Sequence, residues 1–223
     1  ETLEILEAAR ETKWERPTFA GQLFLGRVLT PLIFPYTFQP EEDRKTGDAY
    51  LAEIEAFLKK EVDPDAIDRT GDMPASVIQG LAKLGCFGMK IPKEYGGLGL
   101  SQVNYNRAIA LIGSYCGSTS VWLSAHQSIG VPQPLTMFGT EEQKRKYLPR
   151  CAKGGISAFA LTEPDVGSDP AKMSTTATPV EGGAHYLING EKLWCTNGPA
   201  AEVMVVMAQT PERAIGGKVR KQI

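Results

Sequence analysis

The sequence contains no C-x-x-C pair and only two histidines. Nor does any uninterrupted apolar run approach the roughly 20 residues a bilayer-spanning helix needs. Its four cysteines, Cys86, Cys116, Cys151 and Cys195, are widely and irregularly spaced. That spacing argues against a zinc site or a redox dithiol and fits reduced thiols; no metal is expected. One sign of charge does not dominate: 24 Lys and Arg stand against 26 Asp and Glu, a net charge of −2. Binding nucleic acid by neutralising phosphates needs a clear basic excess, so no nucleic-acid partner is expected. The chain opens at Glu1 rather than Met, with neither a secretory apolar core nor an Arg/Ser-rich transit segment in view. A secreted protein is not expected.

What is present is an ordinary globular composition, 42% hydrophobic over 223 residues, enough for one large domain or two small ones with a real core. Residues 1–155 read as helices punctuated by Gly and Pro. Thr2–Lys13 places Leu3, Leu6 and Ala9 on one face. Pro31, Pro35 and Pro40 then argue for an irregular arm. Further helices are expected over Glu42–Glu61, from Pro74 to a stop at Gly85, from a Ser101 cap to Tyr115, and over Thr119–Ile129 before Pro132 and Pro134 interrupt. Thr140 with Gln143 forms a capping box for a last helix to Leu148.

Beyond Gly154-Gly155 the character changes to β. Ile156–Leu161 reads as a strand, Asn189-Gly190 as a tight hairpin turn between Tyr186–Ile188 and Lys192–Thr196, Glu202–Gln209 as a buried strand, and Val219 onward as the start of another. An apolar sheet edge left open there points to a fragment. The fold class is therefore α+β: an arm at 1–40, an all-α domain at 41–155, and an incomplete β domain at 156–223.

Two stretches carry chemistry. Phe159–Asp169 leaves an apolar strand for a loop in which backbone N–H groups and the hydroxyls of Thr162 and Ser168 can face an anion or a planar polar ring, with Gly167 allowing close approach. An ordinary capped turn fits the same residues. Neither a Walker loop nor a dinucleotide glycine motif is present.

ALTEPDVGSD at 160–169 resembles the acyl-CoA dehydrogenase signature, and Lys192–Gly198 is similar to that family's second flavin segment, K-x-W-x-T/S-N-G. Pro92–Gly99 and Phe138–Pro149 resemble its P-x-E-Y-G-G-x-G loop and F-G-T-x-E-Q-K helix; the arm and Ala125–Gly130 resemble the very-long-chain branch. The resemblance implies FAD as cofactor and a fatty acyl-CoA substrate. Phe159, Leu161 and Thr162 would line the isoalloxazine, and Gly167 and Ser168 would meet the pyrophosphate, Ser168 also reaching the acyl-CoA. Trp194 would pack on the ring system and Thr196 would hydrogen-bond flavin N5. Val121, Ser124 and Ala125, beside Trp122, would line the acyl pocket, a lining that favours long chains. Two positions depart from the pattern: Val166 and Lys172 stand where small residues are usual, adding bulk beside cofactor or acyl-CoA.

The implied reaction is α,β-dehydrogenation of the thioester: a carboxylate takes the α-proton while the flavin accepts the β-hydride. The family keeps that base in a C-terminal helical domain, expected beyond Ile223, so no catalytic residue is named here and the chain alone is expected to be inactive. The resemblance further implies electron-transfer flavoprotein as acceptor and a homodimer or homotetramer. It also implies peripheral membrane association if the protein is of the very-long-chain type. The compartment implied is the cytoplasm in a bacterium and the mitochondrion in a eukaryote. An acyl-CoA oxidase on the same scaffold, or a non-catalytic assembly protein, remain alternatives.

Taken without the family, the residues have plainer readings. Trp194 is a strand core residue, Thr162 and Thr196 suit strands by propensity, and His126 is a satisfied core histidine. His185 is exposed. Glu163 is a tempting acid or base, but Pro164 and the turn suggest a fixed structural carboxylate. Lys144-Arg145-Lys146 is a solvated helix face.

Overall fold

A computed structural model describes residues 18–35, 38–215 and 218–222; the helix expected at Thr2–Lys13 lies outside them. The chain forms two compact units, 1–40 and 41–223. In the first, Thr18 caps a short helix, α1 (Phe19–Phe24), its hydroxyl accepting from Gly21 N–H at 3.1 Å. A single 3-10 turn follows at Thr30–Leu32. The arm is therefore less irregular than its prolines suggest.

The second unit begins with helices and ends with strands. Its helices are α2 (Glu41–Glu61), α3 (Pro64–Thr70), α4 (Ala75–Lys83), α5 (Gln102–Tyr115), α6 (Gly117–Ser124), α7 (Pro132–Phe138) and α8 (Glu141–Ala152). Short 3-10 turns at Cys86–Gly88 and Lys93–Tyr95 link α4 to α5. Where the sequence predicts one helix over 119–129, α6 ends at Ser124 and a π-helical turn, Ala125–Ile129, continues it. The wider turn is closed by Gly130 N–H to Ala125 C=O at 2.8 Å, and it brings both His126 and Gln127 into the interior.

Two helices of this unit, α3 and α7, go beyond the sequence expectation. Helix α3 has a full set of start and stop signals: the Asp63 carboxylate accepts from Ala66 N–H, Pro64 opens the first turn, and Gly71 ends it at φ +73°. In α7, Pro132 and Pro134 begin the helix rather than interrupt it, because first-turn N–H groups have no intrahelical partner to lose. Helix α8 runs past the expected Leu148 and through Pro149. Leu148, Cys151 and Ala152, buried on one side against Ile91, Tyr95 and Val131, hold that last turn in place. Their burial offsets the proline's cost of about 3 kcal/mol.

The main helical core gathers Ile54 and Leu58 of α2, Val77 and Leu81 of α4, Phe87, Tyr105 and Ile112 of α5, and Leu123 of α6. A polar clamp fixes α2 on α5: the Ser101 hydroxyl donates to Asp43 Oδ2 at 2.7 Å, and Asn104 Nδ2 donates to Asp43 Oδ1 at 3.0 Å.

After Gly155 the described residues form six strands in three two-stranded sheets. Strand β1 (Ser157–Ala160) pairs in parallel with β4 (Val203–Val206). β2 (Thr176–Val180) pairs antiparallel with β3 (His185–Asn189), and β5 (Thr210–Ile215) with β6 (Lys218–Gln222). Ala177 N–H to Gln209 C=O at 2.8 Å links β2 to the start of β5.

The hairpin expected at Asn189-Gly190 is not there. The reversal falls instead at Glu181–Gly183, where Glu181, Gly182 and Gly183 all have positive φ, 51°, 70° and 92°, and join β2 to β3. Asn189 remains extended within β3 while Lys192–Thr196 forms no strand. β4 is half-buried rather than buried, and shorter than the 202–209 run.

Candidate functional site

β1 is flanked on both sides. On one side β4 pairs with it in the register Ser157↔Val203 to Ala160↔Val206. On the other lies the irregular segment 192–197, running in the opposite direction and held mainly by side chains. Leu193 N–H donates to Thr162 C=O at 2.8 Å, Cys195 Sγ–H to Phe159 C=O at 3.4 Å, and Asn197 Nδ2 to Ser157 C=O at 3.3 Å. The two stretches that carry the sequence signatures are therefore neighbours.

Glu163 and Lys192 lock this arrangement. Glu163 is 3% exposed, and its carboxylate is saturated with donors. Oε2 accepts from Ser174 N–H at 2.5 Å and Ser174 Oγ at 2.7 Å; Oε1 accepts from Thr175 N–H at 2.9 Å and Lys192 Nζ at 2.8 Å. Lys192 also donates to Leu161 C=O at 3.0 Å. Burial pushes the Glu163 carboxyl toward neutrality. The Lys192 ammonium and the Ser174 and Thr175 N–H donors outweigh it and hold the group well below the usual carboxylate range. Glu163 is thus a fixed, ionised structural carboxylate with no capacity left for proton transfer. Lys192 was missed as a functional residue, although it and Glu163 both stand inside the signature stretches.

Alternation along β1 buries Ala158 and Ala160 and leaves Phe159 half-buried. Leu161 and Thr162 are half-buried, and Gly167, Ser168, Trp194 and Thr196 are exposed. All seven candidate cofactor residues thus keep some accessible surface. Trp194 is 87% exposed with φ +55°, so the plainer reading of it as a strand core residue is wrong. Val166 turns inward, 8% exposed, with its N–H and C=O exchanged with those of Glu163 at 3.1 and 3.0 Å. Its bulk fills the interior of the loop instead of crowding the open side. Lys172 is exposed and pairs with Asp169 at 3.2 Å.

Of the acyl-pocket candidates, Val121 is exposed, Ser124 half-buried and Ala125 buried. A cavity of about 740 Å³ lies between α3, α4, α6 and the 197–200 turn, lined by Ile67, Met73, Ile78, Trp122 and Asn197 among others. Trp122 faces it, whereas Val121, Ser124 and Ala125 do not line it.

His126 is fully buried. Its Nδ1 accepts from Ser157 N–H at 3.0 Å, so the proton sits on Nε2, which donates to Phe87 C=O at 3.1 Å. Burial lowers its pKa to about 4, against the opposite pull of the Phe87 and Cys151 carbonyls. His185 is exposed beside Glu181. Arg145 and Lys146 are exposed and Lys144 half-buried. Among the described residues no group of three or more His, Cys, Asp and Glu is placed to hold a metal, and no helix is long and apolar enough to cross a membrane.

This architecture has relatives. A probable acyl-CoA dehydrogenase, FadE10, of Mycobacterium tuberculosis is 51% identical over 207 residues, 93% of this chain and 32% of its own length. The human mitochondrial very long-chain specific acyl-CoA dehydrogenase is 38% identical over 208 residues, 92% of this chain and 32% of its own. The chain thus spans about a third of either relative. A solved acyl-CoA dehydrogenase from Bacillus anthracis, complexed with FAD, superposes with a TM-score of 0.68 at 36% identity, covering 78% of this chain and 30% of that one. Residues 45–155 match the N-terminal domain of acyl-CoA dehydrogenases and residues 158–220 the middle domain; the chain belongs to the acyl-CoA dehydrogenase family.

Proposed function

We propose that this chain forms the helical and flavin-facing parts of an FAD-dependent enzyme that dehydrogenates fatty acyl-CoA, preferentially long-chain, to the trans-2-enoyl thioester. The carrying observation is the juxtaposition of 157–163 with 192–197, with Phe159, Leu161, Thr162, Gly167, Ser168, Trp194 and Thr196 each keeping some accessible surface. The chemistry of this set suits FAD. Thr162 and Thr196 offer hydroxyls to a polar ring edge, Trp194 an aromatic face, and Gly167, where a Cβ would meet nothing within 4 Å, an open backbone for a pyrophosphate.

FAD supplies the hydride acceptor when bound. The chain's own residues bind and orient it: the Glu163–Lys192 lock sets the spacing of the two segments, and Ser168 serves cofactor and acyl-CoA together. Abstraction of the α-proton falls to a carboxylate outside this chain, since Glu163 is committed to its four donors. Long-chain preference rests on the resemblance to the very-long-chain branch, since Val121, Ser124 and Ala125 do not line the cavity that Trp122 faces. Electron-transfer flavoprotein is the proposed acceptor, and a homodimer or homotetramer the proposed assembly. Residence in the cytoplasm of a bacterium or the mitochondrion of a eukaryote belongs to the same proposal, with peripheral membrane contact if the protein is of the very-long-chain type.

Titrating the protein with FAD tests the reading. Saturable binding with a perturbed flavin spectrum, weakened by Thr196→Ala and Trp194→Ala, is expected, with no steady dye reduction by palmitoyl-CoA. Absence of FAD binding would overturn the flavin assignment, and steady turnover would overturn the placement of the base.

A further inference from the structure

Where the helical part meets β1, four buried side chains form a continuous polar junction. His126 and Gln127 on the π-helical turn are 0% and 1% exposed, Ser157 0% and Asn197 6%. His126 spans from Phe87 C=O to Ser157 N–H. Gln127 donates to Cys86 C=O at 2.6 Å and accepts from Lys90 N–H at 3.1 Å, tying the turn to the same 3-10 segment. Ser157 Oγ accepts from Val131 N–H at 3.1 Å and lies 3.1 Å from His126 C=O. Asn197, at φ +66°, closes the junction from the far side: its Nδ2 donates to Trp122 C=O at 3.0 Å on α6 and to Ser157 C=O at 3.3 Å on β1.

These bonds have a particular distribution. Asn197 belongs to the signature stretch 192–198, and Ser157 opens β1, which leads into the other stretch at 159–169; each is bonded at the junction to the helical layer as well as to the other. Apolar packing is non-directional and tolerates sliding; hydrogen bonds from buried amide and imidazole groups do not, because a shifted partner leaves an unsatisfied polar group. We propose that His126 and Asn197 are positioning residues, which fix the register of the two candidate flavin segments against each other and against α6. The consequence for the cofactor rests on the flavin reading above; the consequence for the segments does not. Both residues are buried, whereas Trp194 and Thr196 are exposed and Thr162 is half-buried.

Amide hydrogen exchange on the full chain tests this. Leu193 reports the register of the two segments, since its N–H bonds Thr162 C=O, and Met207 the seating of β1 beside β4, since its N–H bonds Ala160 C=O; Ile112, fully buried in α5, reports the helical core. In His126→Leu and Asn197→Gly, exchange at Leu193 and Met207 relative to Ile112 should rise at least tenfold, about 1.4 kcal/mol of opening free energy. His126→Gln, which keeps one donor and one acceptor, should restore most of it. Leu58→Ala, equally buried in α2, should destabilise the protein without changing the ratio. An equal rise in Leu58→Ala, or an unchanged ratio in the junction variants, overturns the proposal. Should His126→Leu fail to fold, Asn197→Gly decides. With FAD added, the visible circular dichroism of the bound flavin should change in Asn197→Gly and not in Leu58→Ala. If wild type binds no FAD, the flavin reading falls while the exchange ratios still judge the positioning roles.

Discussion

His126 is neutral in the folded protein because its ring is enclosed and its Nδ1 lone pair is already taken by Ser157 N–H. Protonation there would place a cation in the core and replace an acceptor by a donor facing a donor. Its folded pKa is about 4, whereas an unfolded histidine titrates near 6.5. The sign follows from proton counts. Between those two values the unfolded chain holds the proton and the native state does not, so stability is complete above about 6.5 and is lost as pH falls toward 4. At roughly 1.4 kcal/mol per unit, the loss is about 2 kcal/mol at pH 5 and on the order of 3 kcal/mol at pH 4. Carboxylates held low in the native state, Glu55, Glu141 and Glu163, lose their contributions only below about 4.5, so the window from 6.5 to 4.5 belongs to His126. Urea unfolding across that window should show the midpoint falling with constant m in wild type and little pH dependence in His126→Gln. A flat wild-type profile from pH 7 to 5, or the same slope in the glutamine variant, would refute the buried-neutral assignment.

Two further outcomes follow from the geometry. Lys192→Met leaves the Glu163 carboxylate buried without its cation and frees Leu161 C=O, so it should lower the thermal midpoint several times more than Lys144→Met, whose partner Glu141 is exposed to solvent; equal losses would mean that the lock does not hold the segments. Gly97→Ala puts a Cβ 2.1 Å from Ile91 C=O, whereas at Gly96, with φ +83°, nothing lies within 4 Å. Chemical denaturation should therefore give a loss of about 3 kcal/mol or more at position 97 and only about 1 kcal/mol of backbone strain at 96, and the reverse order would contradict the packing of that loop.

Features of the fold written in adjacent residues were legible in the sequence. The Ser101 and Thr140 caps, the apolar stripes of α2, α4 and α5, and the change to strands after Gly155 are all local patterns, and local hydrogen bonds realise them. A single local signal misleads where tertiary pairing overrides it. Asn189-Gly190 has hairpin composition, but Glu181-Gly182-Gly183 takes the positive φ values, and β3 must run through Asn189 to pair with Thr176. Pro132 and Pro134 were read as breaks because their position within a first turn depends on where the π-helical turn ends, which no residue announces. The pairing of Glu163 with Lys192, and of His126 with Ser157, joins residues about thirty positions apart; spacing gives no handle on such bonds, although Pro164 beside Glu163 hinted at a fixed carboxylate.

Trp194 joins these threads. A large aromatic with φ +55° and 87% exposure is unfavourable twice over: the left-handed region costs a bulky residue on the order of 1–3 kcal/mol, and its apolar face gains nothing from water. Local energetics would favour glycine there. The conformation persists because both flanks are pinned, Lys192 and Leu193 to the 161–163 turn and Cys195 and Asn197 to β1. Strain that neighbouring bonds enforce, on a residue that contributes nothing to the core, directs attention to what the indole faces. The Glu163–Lys192 lock and the His126–Asn197 junction are the two ends of the brace that presents it, and this explains why buried charge and buried amides concentrate around a stretch of chain that forms no strand of its own.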